Sequence, residues 1–469
     1  MSPSLALVLT TAFVALLFWR DLRERPRVTG ALWIPLLWVL MTYSRPVSVW
    51  LGGGVAYTTP SDLVAGSPLD ALLFFSLQLA GLFVLLRRRV SWSTVLSRNL
   101  WVTIFLSYCA LAILWSDFPI VALKRWLKVL GLPMMVLILA TEPDPQEALA
   151  RLMKRAAYLL IPFSILLIKY FPELGRGFSA WTGEAYNNGV TTNKNELGYV
   201  CMVLGFFFFW HFLTVLGRKK GSERRNELLL TAGFLYMTGW LLYMAHSATS
   251  SMSLAMGIST VLFLGLRFID ARHIVAYLVA GLLIFSSVQV FFDVIAPVIG
   301  ALGRDSTLTG RVEVWHEVLK ADIDPILGAG FESFWLGEGA EKLWAKFAFH
   351  PNQAHNGYLE TYLNLGWIGV VLLVGWILSA FWKARNALLS DFDFGRFRLG
   401  VITMVLVYSW TEAIFKGPNP VWFVFYIAAM DYPRARIRRG FPAGRLGATT
   451  HLTSATAVPH FPLSERDQR

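Results

Sequence analysis

Residues 303–311 read Gly-Arg-Asp-Ser-Thr-Leu-Thr-Gly-Arg, and they lie within the longest polar interruption of the chain, residues 293–361. Elsewhere, apolar runs of roughly 15–20 residues, the length that crosses a bilayer as an α-helix, alternate with short polar connections. Membrane proteins place polar, ionisable and glycine-rich residues mainly where chemistry or recognition occurs. The sequence therefore predicts a helical membrane scaffold that holds this loop over a site at the outer face of the bilayer.

The composition is that of a protein mostly embedded in lipid. Of the 469 residues, 55% are hydrophobic and 15% are charged, and the mean hydropathy is +0.53. A soluble domain is about 45–50% apolar and about 25% charged. We therefore predict an all-α polytopic membrane protein with about 12–13 transmembrane helices. The predicted segments are residues 4–19, 30–43, 68–86, 99–115, 126–140, 156–170, 197–216, 228–245, 252–266, 274–292, 362–381, 399–411 and 420–430.

These segments divide the chain into four regions. Residues 1–292 carry the first ten predicted helices, residues 293–361 form a loop with short helices and the site, and residues 362–430 carry the remaining predicted helices. Residues 431–469 are rich in small residues and proline, which predicts a disordered cytoplasmic tail. Because basic residues follow the first apolar run instead of preceding it, we expect an uncleaved first helix with its N-terminus outside.

The distribution of Lys and Arg predicts the orientation. One set of alternate connections carries 26 of these residues, whereas the other carries 11, of which 5 lie in residues 293–361. Positive charge marks the cytoplasmic side of a membrane protein. The connections with few Lys and Arg residues, which include residues 293–361, are therefore predicted to be outside. The net charge of +12 is therefore mainly a topology signal, and we expect no nucleic-acid partner.

The spacing of cysteine and histidine favours neither a disulfide framework nor a metal centre. Cys109 and Cys201 both lie inside apolar runs, which predicts packed, unpaired thiols. His316, His350 and His355 share the long loop, but their spacing matches no standard ligand pattern. We expect no metal and no cofactor.

Two arginines bracket the polar turn of the long loop. Arg304 and Arg311 each offer a planar, permanently charged fork that suits phosphate oxygens. The Ser, Thr and Gly residues between them add backbone N–H donors. The alternative is snorkelling to lipid headgroups, but the pair around this turn favours phosphate binding.

His355 lies near the end of this loop, at the entry to the next apolar segment. Histidine is the usual general base near neutral pH, and the alternative is an interfacial or packing histidine. Glu360 could orient its ring or could simply be a charge at the helix end.

Further cations lie on the predicted outer side, against the general trend. Lys194 immediately precedes an apolar segment, where a cation is unfavourable for the helix dipole unless an anion accompanies it. Lys124 and Arg125, with Lys128 a turn further on, stand where the chain re-enters the membrane. Tryptophans such as Trp315 could stack on sugars or could belong to the interfacial belt.

Taken together, these motifs resemble those of the O-antigen ligase and polymerase superfamily. The resemblance covers roughly residues 115–369, and residues 303–311 look most like the exopolysaccharide-polymerase branch. The motifs are Trp115-Ser116-Asp117-Phe118-Pro119 with Lys124-Arg125, Thr192-Asn193-Lys194-Asn195-Glu196-Leu197-Gly198, residues 303–311 with Trp315, Pro325-Ile326-Leu327-Gly328 with Gly330 and Phe334-Trp335, and His355-Asn356-Gly357-Tyr358-Leu359 with Leu365-Gly366 and Gly369.

The resemblance implies a GT-C-like helical scaffold in the bacterial inner membrane with its active site facing the periplasm. It implies that Arg311 grips a diphosphate leaving group and that His355 activates an acceptor hydroxyl. Many members carry a basic residue in the loop that is His246–Ser251 here, so either Lys194, Arg125 or Arg304 supplies the second charge or the diphosphate is held differently. The residues expected to bind the diphosphate or the glycan are Arg304, Lys194, Arg125, Lys124, Asn356 and Trp315.

The expected function is transfer of a glycan from undecaprenyl diphosphate to an acceptor glycan, with polymerisation of exopolysaccharide or O-antigen repeat units favoured over ligation to lipid A-core. A chain-length regulator or a flippase of the same pathway could be a partner. A transporter or flippase is the rival from another class, but it would place ionisable residues near the bilayer midplane. A polysaccharide-assembly partner without activity is a third interpretation.

Overall fold

The computed structural model describes residues 1–52, 66–178, 183–274, 277, 311–347 and 350–432. Its helices before the long loop are α1 (Pro3–Arg23), α2 (Trp33–Thr42), α3 (Val47–Trp50), α4 (Pro68–Arg87), α5 (Trp92–Arg98), α6 (Leu100–Leu111), α7 (Pro119–Val129), α8 (Gly131–Ala140), α9 (Pro145–Tyr170), α10 (Pro172–Gly175), α11 (Lys194–Leu216), α12 (Ser222–Ala245) and α13 (Ala248–Leu264). The later helices are α14 (Arg311–Val318), α15 (Gly337–Lys346), α16 (Gly357–Ser390), α17 (Phe392–Ser409) and α18 (Pro420–Ala429). Gly30–Leu32 and Ala271–His273 form 3₁₀ turns, and β1 (Arg176–Phe178) pairs antiparallel with β2 (Ala185–Asn187).

This architecture confirms the predicted all-α polytopic membrane protein. Among the described residues, α1, α4, α11, α12 and α16 are long and apolar enough to cross a bilayer, and α5 and α6 are so only when taken together, across a bend of 96°. Helices overlap all of the predicted segments except residues 274–292, most of which lie outside the described part of the chain. Residues 303–310 and 433–469 also lie outside it.

Helix α9 extends well beyond a predicted membrane segment, because it begins at Pro145, whereas that segment begins at residue 156. Asp144 caps the helix by accepting the N–H of Glu147, and proline suits the first helical position. The charged first half of α9 looks like a loop in sequence. Its basic side chains are nevertheless buried in ion pairs: Arg151 and Arg155 both bind Asp21 of α1, at 2.8 and 2.7 Å.

Helix α16 is broken at Gly366, whose φ of 60° is left-handed. A Cβ atom there would lie 2.1 Å from the carbonyl oxygen of Ile326, so only glycine fits without movement of the backbone. The N–H of Trp367 donates to the carbonyl of Pro325 at 2.9 Å. The motif at residues 325–328 therefore serves as a backbone support for the break in α16.

The motif at Trp115-Ser116 has a similar structural role. Gly330 has a φ of 94°, and a Cβ atom there would lie 2.7 Å from Ser116. The hydroxyls of Ser116 and Ser333 are 2.6 Å apart, and the indole N–H of Trp115 donates to the carbonyl of Leu327 at 3.3 Å. These contacts fix the segment before α15 against the end of α6.

Candidate active site

A polar cavity of about 880 Å³ opens at the end of the bundle where α11 begins. Its walls come from α7, from β1 and β2, from the start of α11, and from the connections before α15, before α16 and after α17. Three of the predicted site residues, Arg125, Lys194 and His355, line this cavity. The structure thus brings together side chains that are up to 230 positions apart in the sequence.

His355 is held on the cavity wall by a carboxylate from another loop. Its Nδ1 atom lies 3.1 Å from Oε2 of Glu412. His355 has a φ of 48°, a left-handed conformation that costs about 1–3 kcal/mol in a non-glycine residue and that clusters at functional sites. Its Nε2 atom has no hydrogen-bond partner among the described residues. The ring therefore has one nitrogen fixed by an acid and the other free.

Glu412 is the residue that the sequence analysis missed. It lies in the short connection between α17 and α18, and its side chain is only 10% exposed. Burial raises its pKa, but the hydrogen bond and charge of His355 and the charge of Arg311 outweigh burial and hold the pKa below its ordinary value. The only feature that marks it in the sequence is an acidic side chain in a short connection between two apolar segments, and this connection is predicted to be outside.

Arg311 contacts the same carboxylate from the other side. Its Nη2 donates to Oε1 of Glu412 at 2.9 Å, and its Nη1 donates to the carbonyl of Thr411. The hydroxyl of Thr411 lies 2.9 Å from the hydroxyl of Thr249. Thr249 belongs to the His246–Ser251 loop, which contains no Lys or Arg. Arg311 is not among the residues that line the cavity. It is therefore joined to His355 through Glu412.

The other predicted cations divide into those inside and those outside the cavity. Lys194 is half-buried on the wall, and no described side chain accepts a hydrogen bond from it. Arg125 also lines the cavity, where it donates to the backbone carbonyl of Glu332 and lies 4.0 Å from its carboxylate. Lys124 is exposed and does not line the cavity, whereas Lys128, a turn further on, does.

Glu360 does not orient His355. It is buried, and it accepts hydrogen bonds from Lys416 at 2.8 Å, from Trp335 at 3.0 Å and from the N–H of Ala354 at 2.9 Å. These bonds hold the residue before His355 and connect it to the loop after α17. Glu360 is therefore a support for the wall rather than a partner of the histidine ring.

Asn356 and Trp315 make contacts that organise the protein itself. The side chain of Asn356 caps α16 by accepting the N–H groups of Tyr358 and Leu359, both at 3.0 Å. The indole N–H of Trp315 donates to the carbonyl of Ala354 at 2.7 Å, and neither residue lines the cavity. The predicted site residue Arg304 lies outside the described residues. Within the described part of the chain, no group of three or more His, Cys, Asp or Glu side chains could hold a metal ion.

Comparison with known proteins connects this arrangement with a family. Residues 232–374 match a family model described as O-antigen ligase. The chain is also 29% identical over 383 residues to the exopolysaccharide production protein ExoQ of Rhizobium meliloti (strain 1021), which covers 77% of this chain and 84% of that protein. The family match contains Arg311 and His355 but ends before Glu412. The two matches confirm the resemblance of this chain to the O-antigen ligase and polymerase superfamily, including an exopolysaccharide production protein.

Proposed function

We propose that the chain is a glycosyltransferase of the bacterial inner membrane that works at the periplasmic face. It transfers a glycan from undecaprenyl diphosphate to a hydroxyl of an acceptor glycan and so polymerises exopolysaccharide or O-antigen repeat units. The observation that carries this proposal is the pair of His355 and Glu412 on the wall of a polar cavity. The family match and the exopolysaccharide relative support the choice of glycan chemistry.

The pair suits His355 for general base catalysis. Because the pKa of Glu412 is lowered, this carboxylate is ionised and accepts the Nδ1–H of the ring, which leaves the lone pair on Nε2. Nε2 takes the proton from the acceptor hydroxyl as its oxygen bonds to the anomeric carbon of the donor. The bond from that carbon to the diphosphate oxygen breaks in the same step, and the diphosphate carries away the electron pair.

The departing diphosphate needs positive charge in the cavity. Lys194 lines the wall without a carboxylate partner among the described residues, so its ammonium is available to the leaving group. In this arrangement Arg311 acts through Glu412, because both terminal nitrogens of its guanidinium already bind the carboxylate and the Thr411 carbonyl. We therefore assign charge stabilisation to Lys194 and positioning of the base to Arg311.

Ligation of a glycan to lipid A-core is the second candidate, because the matching family model is described as O-antigen ligase. Both reactions use the same donor and differ in the acceptor. The similarity to an exopolysaccharide production protein favours polymerisation. A chain-length regulator or a flippase of the same pathway is a candidate partner of such a polymerase.

The test is an assay with purified protein, undecaprenyl-diphosphate-linked oligosaccharide and an acceptor glycan. The wild-type protein should lengthen the acceptor, and His355→Gln should lower the rate by about 10²–10⁴-fold, as for loss of a general base. Wild-type activity should fall toward acidic pH, because a protonated imidazole cannot accept a proton. Lipid-linked donor should still bind to the variant.

The matched control is His350→Gln, since His350 stacks on Trp344 at 4.5 Å and does not line the cavity. Its rate should stay near that of the wild type. An active His355→Gln protein with an unchanged pH profile would remove His355 from the mechanism. Movement of lipid across vesicles without any glycan product would instead support a transporter.

A further inference from the structure

A second polar cavity, of about 1380 Å³, lies at the opposite end of α11 from the candidate active site. Asn195 of α11 lines the first cavity and His211 lines the second. At a rise of about 1.5 Å per residue, these two positions are about 24 Å apart along the helix. The second cavity is therefore separate from the candidate active site, and it opens on the other face of the bundle.

The acidic side chains of the second cavity are already bound within the protein. Glu227 accepts Lys154 at 2.8 Å and Arg20 at 3.1 Å. Glu24 binds Arg151 at 2.7 Å. Four further carboxylates that line the cavity accept a hydrogen bond or form an ion pair: Asp144, Glu147, Asp391 and Asp393. Glu223 is the one lining carboxylate without such a partner among the described residues.

Several basic side chains of the same cavity have no such partner. Arg27, Arg218, Lys219 and Lys220 line it, and none of them forms an ion pair with a carboxylate of the described residues. Arg218, Lys219 and Lys220 are exposed and consecutive in the turn between α11 and α12. After internal pairing, the cavity therefore keeps a surplus of positive charge that faces solvent.

The start of α12 adds backbone donors to this charge. Gly221, its N-cap, provides no side chain to the N–H groups of the first turn, and Gly221 and Ser222 both line the cavity. A helix N-terminus with free N–H groups favours an anion. Glu223 also lies in this first turn and its negative charge opposes an anion, so binding depends on the unpaired basic side chains of the cavity, which outnumber it.

We propose that the second cavity binds the phosphate of an anionic phospholipid headgroup. The turn at residues 217–221 connects α11 and α12, which are both long and apolar enough to span the bilayer, so its basic side chains lie at the depth of headgroups. Basic pockets between membrane helices are a known type of site for anionic lipid headgroups. This site is independent of the glycosyltransferase proposal.

The test is native mass spectrometry of the full-length protein after exchange from detergent into mixed micelles with phosphatidylglycerol or phosphatidylcholine. The wild-type protein should retain phosphatidylglycerol in preference to phosphatidylcholine. The double variant Arg218→Gln with Lys219→Gln should lose at least half of the retained phosphatidylglycerol. Inorganic phosphate, added as a separate probe, should not displace the lipid, because it lacks the anchoring chains.

The matched control is Arg87→Gln with Arg89→Gln, which removes two charges from exposed residues outside the cavity. These residues flank Arg88, which hydrogen-bonds Thr29, so they belong to the same end of the bundle. The control should retain lipid as the wild type does. Equal loss in both double variants would show attraction by general surface charge and overturn the proposal. Binding of inorganic phosphate without retention of phosphatidylglycerol would overturn the lipid assignment.

Discussion

The Nδ1 atom of His355 lies 3.1 Å from Oε2 of Glu412, although the two residues are 57 positions apart in sequence. His355 precedes α16 and Glu412 follows α17, and these two helices pack against each other. The pair is therefore formed where a helical hairpin returns to the face from which it started. The proposed base and its orienting acid are therefore held together by the packing of α16 against α17.

The first prediction concerns Glu412. In Glu412→Gln the amide cannot supply the negative charge that holds the ring and Arg311, so we expect kcat to fall about 10–100-fold. This range corresponds to about 1.5–3 kcal/mol for a hydrogen bond to a charged group. The assay with lipid-linked donor measures it. Glu317→Gln is the control, because Glu317 pairs with Lys320 and Lys346 at the surface, away from the cavity.

The lowered pKa of Glu412 adds a dependence of stability on pH. A carboxyl group with a depressed folded-state pKa stabilises the protein above its unfolded pKa, and this contribution disappears as the pH falls through the folded pKa. The difference in melting temperature between wild type and Glu412→Gln should therefore persist at pH 5 and be lost only as the pH falls below the ordinary glutamate value of about 4.3. A difference that vanishes already at pH 6 would contradict an ionised Glu412.

Arg311→Lys separates positioning from direct binding of the diphosphate. A lysine cannot reproduce the two bonds from Nη1 and Nη2 to Thr411 and Glu412, so most activity should be lost although the charge remains. If Arg311 acts through Glu412, the loss should appear in kcat while KM for the lipid-linked donor stays near its wild-type value. A rise in KM with kcat unchanged would show instead that Arg311 binds the donor, as the family resemblance implies.

Lys194 and Lys124 form a matched pair for locating the leaving group. Both are among the residues expected to bind the diphosphate or the glycan, but only Lys194 lines the cavity, whereas Lys124 is exposed outside it. Lys194→Gln should therefore lower kcat/KM by about tenfold or more, as expected when a charged hydrogen bond of about 1.5–3 kcal/mol is lost. Lys124→Gln should stay within about twofold. Equal effects of the two substitutions would show that the cavity does not define the site.

Sequence reasoning found the scaffold because the length and the alternation of apolar runs report directly on the membrane. It also selected His355 and Lys194, since an ionisable residue beside an apolar segment is rare enough to stand out. Glu412 could not be selected in the same way. Its role depends on the return of α17 to the side of His355, and this is a tertiary relationship that no local pattern contains.

The same limit applies to Asn356 and Trp315, which are predicted to bind substrate and which make contacts within the protein without lining the cavity. Asparagine is a common N-cap, and Asn356 directly precedes α16. Trp315 needs an acceptor for its indole N–H, and the carbonyl of Ala354 supplies it. An asparagine or tryptophan that binds a ligand is the same residue type as one that hydrogen-bonds the backbone. The sequence alone therefore cannot distinguish the two roles.

Gly366→Ala tests the break in α16, the helix that follows His355. The new Cβ would lie 2.1 Å from the Ile326 carbonyl and would sit in a left-handed conformation, so we expect a loss of stability of more than about 1 kcal/mol. Gly233→Ala is the control in α12, where a Cβ meets nothing within 4 Å. That control should leave stability unchanged or raise it by about 0.4–1 kcal/mol. Thermal unfolding in detergent measures both, and equal melting temperatures would contradict the strained break.

The last prediction concerns the side of the membrane on which the candidate site lies. The Lys- and Arg-poor connections are predicted to face the periplasm, and Lys342 of α15 belongs to one of them, with a side chain that is 79% exposed. Lys219, in the turn after α11, belongs to the basic set and is also exposed. A membrane-impermeant maleimide should therefore label Lys342→Cys in intact spheroplasts and should label Lys219→Cys only after the membrane is opened.

The two native cysteines should not interfere with this labelling, because Cys109 and Cys201 are both fully buried. A cysteine-free background is therefore unnecessary, and the wild-type protein serves as the blank. Labelling of Lys219→Cys in intact spheroplasts, with Lys342→Cys protected, would invert the orientation. The cavity with His355 would then face the cytoplasm, and the proposed periplasmic reaction would have to be abandoned together with the topology.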